Sequence, residues 1–277
     1  MYVFIIIRII LKASTLPTKN YILSVMGRSK NSRRNKRDAK EYRERIRVKV
    51  IGDSHATENH FFESAFWSHL DDPKNSWYHR RFLEPDIDGQ GGRRISQKPG
   101  HKCISVEEIN EYLSQNKQKE QILILLVGTN NFRPPQLGKT SEVFGLFKQV
   151  VEHAKTIPKA HLIIIGMIPD PQDDHNLKDE FSQLNDKLSK MSIKKANKST
   201  VTFKNVGNHF TNKGEIKLEL YKDLGNYAKM LQKRAIAKGK IVSHRNKNIH
   251  LDWNGACWLT KLILNVMNTL PNNYFKV

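Results

Sequence analysis

The sequence predicts an α/β domain built on a mostly parallel sheet covered by helices on both faces. Three observations carry this. Strand-like and helix-like segments alternate along the chain, the pattern of a doubly covered parallel sheet. Two of the strand-like segments, 121–127 and 160–168, are nearly uninterrupted apolar runs, as expected of strands buried on both faces. The most distinctive polar motifs fall just past apolar runs, where such sheets collect their functional residues.

Taken in order, Ile46–Ile51 is a short apolar-rich run closed by Gly52 and reads as the first strand. From His55 to about Leu70, Phe61, Phe62, Ala65, Phe66 and Leu70 recur at helical spacing. Residues 71–90 are rich in Pro, Asp, Asn and Gly and read as a loop region with one strand. Ser105-Val-Glu-Glu108 is a capping-box pattern, with Ser and Glu three residues apart, and opens a helix to about Asn116. Gln121–Val127 is the second strand, Ser141–Thr156 an amphipathic helix ended by Pro158, and Ala160–Ile168 the third strand. Leu177–Met191 is helical in pattern, Val201–Val206 reads as a strand, and the last helix covers about Ala256–Leu270.

At 277 residues, 38% of them hydrophobic, the chain has material for one sizeable core rather than two. The expected division is a leader and basic tail over 1–45, then a domain over 46–277. The apolar run 2–11 is interrupted by Arg8 and is shorter than the roughly 20 residues a spanning helix needs. It lacks the charge order and cleavage site of a signal peptide. A more ordinary start follows at Met26, so residues 1–25 are expected to be an inert leader or a mis-annotated extension, and no transmembrane segment is expected. Of the +20 formal charge, residues 27–49 hold eleven Lys/Arg against three Asp/Glu, a net +8. Such a block suits a solvated tail or an anionic partner, nucleic acid included. With Tyr42 its single aromatic, nucleic-acid binding would rest on charge alone. Cys103 and Cys257 are far apart and lack Cys-x-x-Cys spacing or an adjacent His, so they give little support to a zinc or redox site. They fit a reducing, intracellular (cytoplasmic or nuclear) setting, although one disulfide stays open on sequence grounds.

Four features suggest acyl-transfer chemistry, which needs a nucleophile, a base and donors for an oxyanion. Ser54, in Gly52-Asp53-Ser54-His55, stands between a strand and an expected helix start, where the helix N-terminus would favour developing negative charge. The plainer role for Asp53 or Ser54 is a helix N-cap. Gly92, in Gly89-Gln-Gly-Gly-Arg-Arg-Ile95, offers an unhindered N–H or simply a turn. Asn130, after Gly128 and Thr129, offers an amide donor or a turn residue. His250 precedes the last helix, as a base or as one of eleven unremarkable histidines.

In this order the four resemble the blocks of the SGNH (GDSL-like) hydrolases: an early Gly-Asp-Ser, a later Gly, a Gly-x-Asn and a C-terminal Asp-x-x-His. The resemblance covers about residues 46–268. It implies a three-layer α/β/α sandwich and an esterase without metal or cofactor, acting on a small acyl or acetyl ester or a lysolipid. Ser54 would be the nucleophile and His250 its base, with Ser54 and Gly92 N–H groups and the Asn130 amide forming the oxyanion hole. The sequence departs from the pattern twice. Asn131 stands where Asp is usual, and Lys247 occupies the place of the Asp three residues before the His. Joining Asp223 directly to Asn248 restores Asp-Asn-Ile-His, so 224–247 reads as an insertion or gene-model artefact, with Asp223 the displaced carboxylate. His209, five residues before Gly214, is the alternative base; Val206 takes the Asp place there. A fold that has lost its activity and serves in binding, of retroelement kind and tied to nucleic acid by its basic tail, is the competing reading.

Overall fold

The computed structural model describes residues 45–57, 61–115, 120–133, 138–171, 177–191, 193–194, 199–212, 215–223, 230, 233 and 247–270. The expected leader, the basic block up to residue 44 and nearly all of 224–247 lie outside these residues. The described residues fall within one unit, Arg45–Val277.

The sheet is built from β1 (Arg47–Gly52), β2 (Asp86–Gly89), β5 (Gln121–Leu126), β6 (Ala160–Ile165), β7 (Ile193–Lys194) and β8 (Thr200–Lys204). Their order is β2-β1-β5-β6-β8-β7. The first five are parallel and β7 runs antiparallel at the edge. Every residue of β5 and β6 is buried, which explains their unbroken apolar reading. A small parallel pair, β3 (Arg94–Ser96) with β4 (Cys103–Ser105), lies outside this sheet. Two antiparallel pairs follow β8: β9 (Thr211–Asn212) with β10 (Glu215–Ile216), and β11 (Tyr221–Asp223) with β12 (Lys247–Leu251).

Among the described residues the helices are α1 (Phe62–Leu70), α2 (Ser76–Arg81), α3 (Val106–Ser114), α4 (Thr140–Thr156), α5 (Leu177–Ser189) and α6 (Trp253–Thr269). They divide between the faces as strand alternation requires. Val48, Val50, Ile122, Ile124 and Ile163 pack with residues of α1, α2 and α6. Ile51, Leu123, Leu125, Leu162 and Ile164 pack with residues of α3, α4 and α5. The three-layer α/β/α sandwich is therefore present. The chain runs from β1 to β2 on one side and returns to β5 on the other, so the order of the sheet reverses between β1 and β5, the point at whose carboxyl end such sheets place their sites.

Several boundaries differ from the sequence reading. The helix expected from His55 starts only at Phe62, and a three-residue 3-10 turn, Ser54–Ala56, stands in its place. Thr57 ends that turn in extended backbone (φ −79°, ψ 151°). Ser54 thus has no α-helix N-terminus behind it, and the dipole argument falls away for a turn this short. The loop expected over 71–90 contains α2, a helix too short to show periodicity. Helix α6 begins at Trp253, three residues early, because the Asp252 carboxylate caps it through the Gly255 N–H at 2.8 Å. The capping box at Ser105 and Glu108 forms as expected. Both cysteines are free thiols. No described helix is long and apolar enough to cross a membrane.

Candidate active site

The turn that carries Ser54 is over-determined by its neighbours. The Asp53 N–H donates to the Leu126 carbonyl at 2.9 Å, tying the end of β1 to the end of β5. One Asp53 carboxylate oxygen accepts from both the His55 backbone N–H (2.9 Å) and His55 Nδ1 (3.0 Å). Asp53 is therefore the cap, which leaves the Ser54 side chain unneeded for that purpose. Asp53, Ser54 and His55 are 1%, 6% and 4% exposed. Among the described residues, nothing hydrogen-bonds the Ser54 hydroxyl. Two glycines make room for the turn. A Cβ on Gly52 would lie 2.2 Å from the Ala56 Cβ, and one on Gly89 would lie 2.4 Å from the Ala56 carbonyl oxygen.

Gly92 sits in the turn between β2 and β3 with φ +74°. Arg93, next to it, is a residue the sequence reading passed over. Its buried guanidinium donates to the Gly52 carbonyl (3.3 Å), the Asp88 carbonyl (2.7 Å), the Asp88 carboxylate (2.8 Å) and the Gln90 amide oxygen (3.3 Å). This fork clamps the ends of β1 and β2 and fixes the backbone that carries Gly92.

The strand β5 ends at Gly128 (φ +119°), and Asn130 lies in the 3-10 turn Thr129–Phe132. Its amide nitrogen donates to the Arg93 carbonyl at 3.2 Å and reaches Asp53 Oδ2 at 3.5 Å. Ser54's turn, the Gly92 turn and Asn130 are thus joined by direct hydrogen bonds. Asn131 does something else. Its side chain accepts from the Ile95 N–H (3.1 Å) and donates to the Ile95 carbonyl (2.7 Å), completing a backbone ladder for β3.

The histidine arrives from the other side. The ring of His250 meets the ring of His55 edge to face, with centroids 6.1 Å apart and planes at 61°. His250 belongs to β12, whose Leu251 pairs with Tyr221 and whose Lys247 pairs with Asp223; the register shifts between the two rungs. The segment 224–246 therefore leaves and returns at one rung, and Asp223 stands opposite the residue that replaces the expected Asp. Tyr221 anchors β11: its buried hydroxyl donates to the Pro169 carbonyl at 2.7 Å. Gly255 allows the next turn to dock, since a Cβ there would lie 2.1 Å from the Leu220 carbonyl oxygen.

His209 lies in the 3-10 turn Gly207–His209 after β8, a strand separated from β1 by β5 and β6. No described contact joins it to Ser54. Burial, together with Lys204 and Lys217, lowers its pKa and so opposes the imidazolium a general base must become. Among the described residues, no three His, Cys, Asp or Glu side chains converge as metal ligands do.

No family model matches the sequence, and no curated protein matches it significantly. Solved structures do. A carbohydrate acetylesterase from Sinorhizobium meliloti is 13% identical with a TM-score of 0.51, over 82% of this chain and 100% of that one. A carbohydrate esterase family 3 structure from Talaromyces cellulolyticus is 12% identical with a TM-score of 0.52, over 81% and 97%. The native aryl esterase of M. smegmatis is 11% identical with a TM-score of 0.51, over 82% and 100%. The chain thus shares the α/β/α sandwich fold of these ester hydrolases.

Proposed function

We propose that the chain is a serine esterase acting on a small acyl or acetyl ester, with a lysolipid as the larger alternative. His250 takes the proton of Ser54, whose Oγ attacks the ester carbonyl. The tetrahedral oxyanion is held by the Ser54 and Gly92 N–H groups and the Asn130 amide. The alcohol leaves with the proton from His250, and water, activated by the same imidazole, hydrolyses the acyl-enzyme. Asp223 orients His250. The reading is supported above all by one observation: a histidine from the far end of the chain packs against the residue next to Ser54. The shared fold and the named activities of its structural neighbours point the same way.

The competing reading, a binding protein on a retired hydrolase fold, draws on Lys247 at the place of the orienting carboxylate. Hydrolysis of p-nitrophenyl acetate and butyrate separates the two. The esterase reading expects turnover that drops about 10³-fold or more in Ser54→Ala. Turnover equal in wild type and Ser54→Ala, or none in either, rejects it.

A further inference from the structure

Among the described residues, two aromatic contacts join the region after Ser54 to the region around His250. One is the His55–His250 contact already described. The other lies on the surface: Phe61 and Trp253 meet edge to face, with centroids 6.1 Å apart and planes at 82°. Both rings are unusually open, 38% and 41% exposed, and they belong to the few large apolar side chains in that state among the described residues. Single exposed apolar residues need no explanation, but a paired aromatic surface beside a candidate site does. Trp253 follows His250 by three residues, so their Cα atoms are at most about 10 Å apart.

Phe61 also has a backbone that a bulky side chain rarely adopts, φ 67° at the N-terminus of α1. Non-glycine residues held in the left-handed region are strained and gather at functional sites. A cation completes the patch. The Lys222 ammonium sits 4.4 Å from the Phe61 ring centroid, on the strand paired with the one that carries His250. Partial burial lowers the Lys222 pKa.

Taken with the esterase reading, on which it rests, this geometry leads us to propose that Phe61, Trp253 and Lys222 form a subsite for an aromatic, negatively charged portion of the ester substrate. The ring of the substrate packs on Phe61 and Trp253, and its carboxylate or equivalent anion meets Lys222. The scissile carbonyl then lies toward Ser54. The ammonium alone does not single out such a ligand; the aromatic pair beside it does.

Three acetate esters and one binding measurement test it. Wild-type kcat/KM is expected to rank 4-acetoxybenzoate over phenyl acetate over ethyl acetate. Trp253→Ala and Phe61→Gly, the latter also relieving the left-handed backbone, each lower the phenyl-to-ethyl ratio about tenfold. Lys222→Met lowers the acetoxybenzoate-to-phenyl ratio about tenfold. Benzoate binding to Ser54→Ala protein, followed by calorimetry, is expected and is lost with Trp253→Ala added. Ester turnover with ratios unmoved by these substitutions, or no benzoate binding, overturns the subsite and leaves the esterase reading standing. Benzoate binding that depends on Trp253 and Lys222, without turnover of any ester, keeps the subsite and removes the esterase reading.

Discussion

The two halves of the candidate site are held in different ways. Ser54, Gly92 and Asn130 come from loops at the ends of neighbouring strands, laced by the Asp53–Leu126 backbone bond, the Arg93 fork and the Asn130 amide. His250 comes from a short antiparallel ladder outside the main sheet, interrupted by residues 224–246. The first half inherits its rigidity from the sheet. The second depends on a few anchors: the Tyr221 hydroxyl, the Asp252 cap and the close pass at Gly255. The ladder beside His250 can therefore carry a long connection, while the turn beside Ser54 leaves no room for a side chain at Gly52 or Gly89. Loop-closure entropy grows only by about 0.6 kcal/mol per doubling of length, so the excursion is thermodynamically cheap.

This contrast can be broken most severely at the base. His250→Ala is expected to lower kcat/KM for a short ester by about 10³-fold or more, while His209→Ala stays within about threefold. The reverse ranking would move the base to the β8 side. The next largest effect separates two adjacent asparagines. Asn130→Ala should reduce kcat about 10²-fold with the melting temperature nearly unchanged. Asn131→Ala should instead cost about 1–3 kcal/mol of stability in urea titration, because it strands both polar groups of Ile95.

Smaller effects sharpen the account of the excursion. Deleting 224–247 joins Asp223 to Asn248 and leaves residues 222, 223, 248, 249 and 250 as the connection inside the Tyr221–Leu251 rung. Hairpin loops of about five residues are common, so the ladder is expected to survive and kcat/KM to rise by up to about tenfold. A loss would show that the segment contributes to the site. Tyr221→Phe, the mildest change, leaves the Pro169 carbonyl without its donor and is expected to cost about 1 kcal/mol of stability, with a lower kcat as β11 loosens. An unchanged melting curve would mean that the ladder is anchored elsewhere.

How much of this was legible in the sequence follows the same division. β1, β5, β6 and β8, the helices α3 to α5 and the positions of Ser54 and Asn130 could all be read, because apolar runs and capping patterns are local signals. The turn after Ser54 could not. Phe61 and Phe62 continue the helical spacing backward past the true start, but the chain is extended at Thr57 and left-handed at Phe61, neither of which a spacing pattern reveals. The ladder that positions His250 escaped for a different reason. Pairing of Tyr221–Asp223 with Lys247–Leu251 is non-local, and its register slips. Asp223 was reached by noticing a split motif rather than by any strand signal. Arg93 and His55 were passed over because their roles lie in partners distant in sequence or in side-chain geometry. Phe61 shares the helical spacing of the buried Phe62 and Phe66, and spacing alone does not separate a ring facing inward from one facing solvent.

The most direct measurement is the rate at which a fluorophosphonate modifies the wild-type chain, with the labelled peptide identified by mass. The account predicts labelling at Ser54, absent in Ser54→Ala and slowed about 100-fold or more in His250→Ala. Labelling at another residue, or a Ser54 rate indifferent to His250, would contradict it.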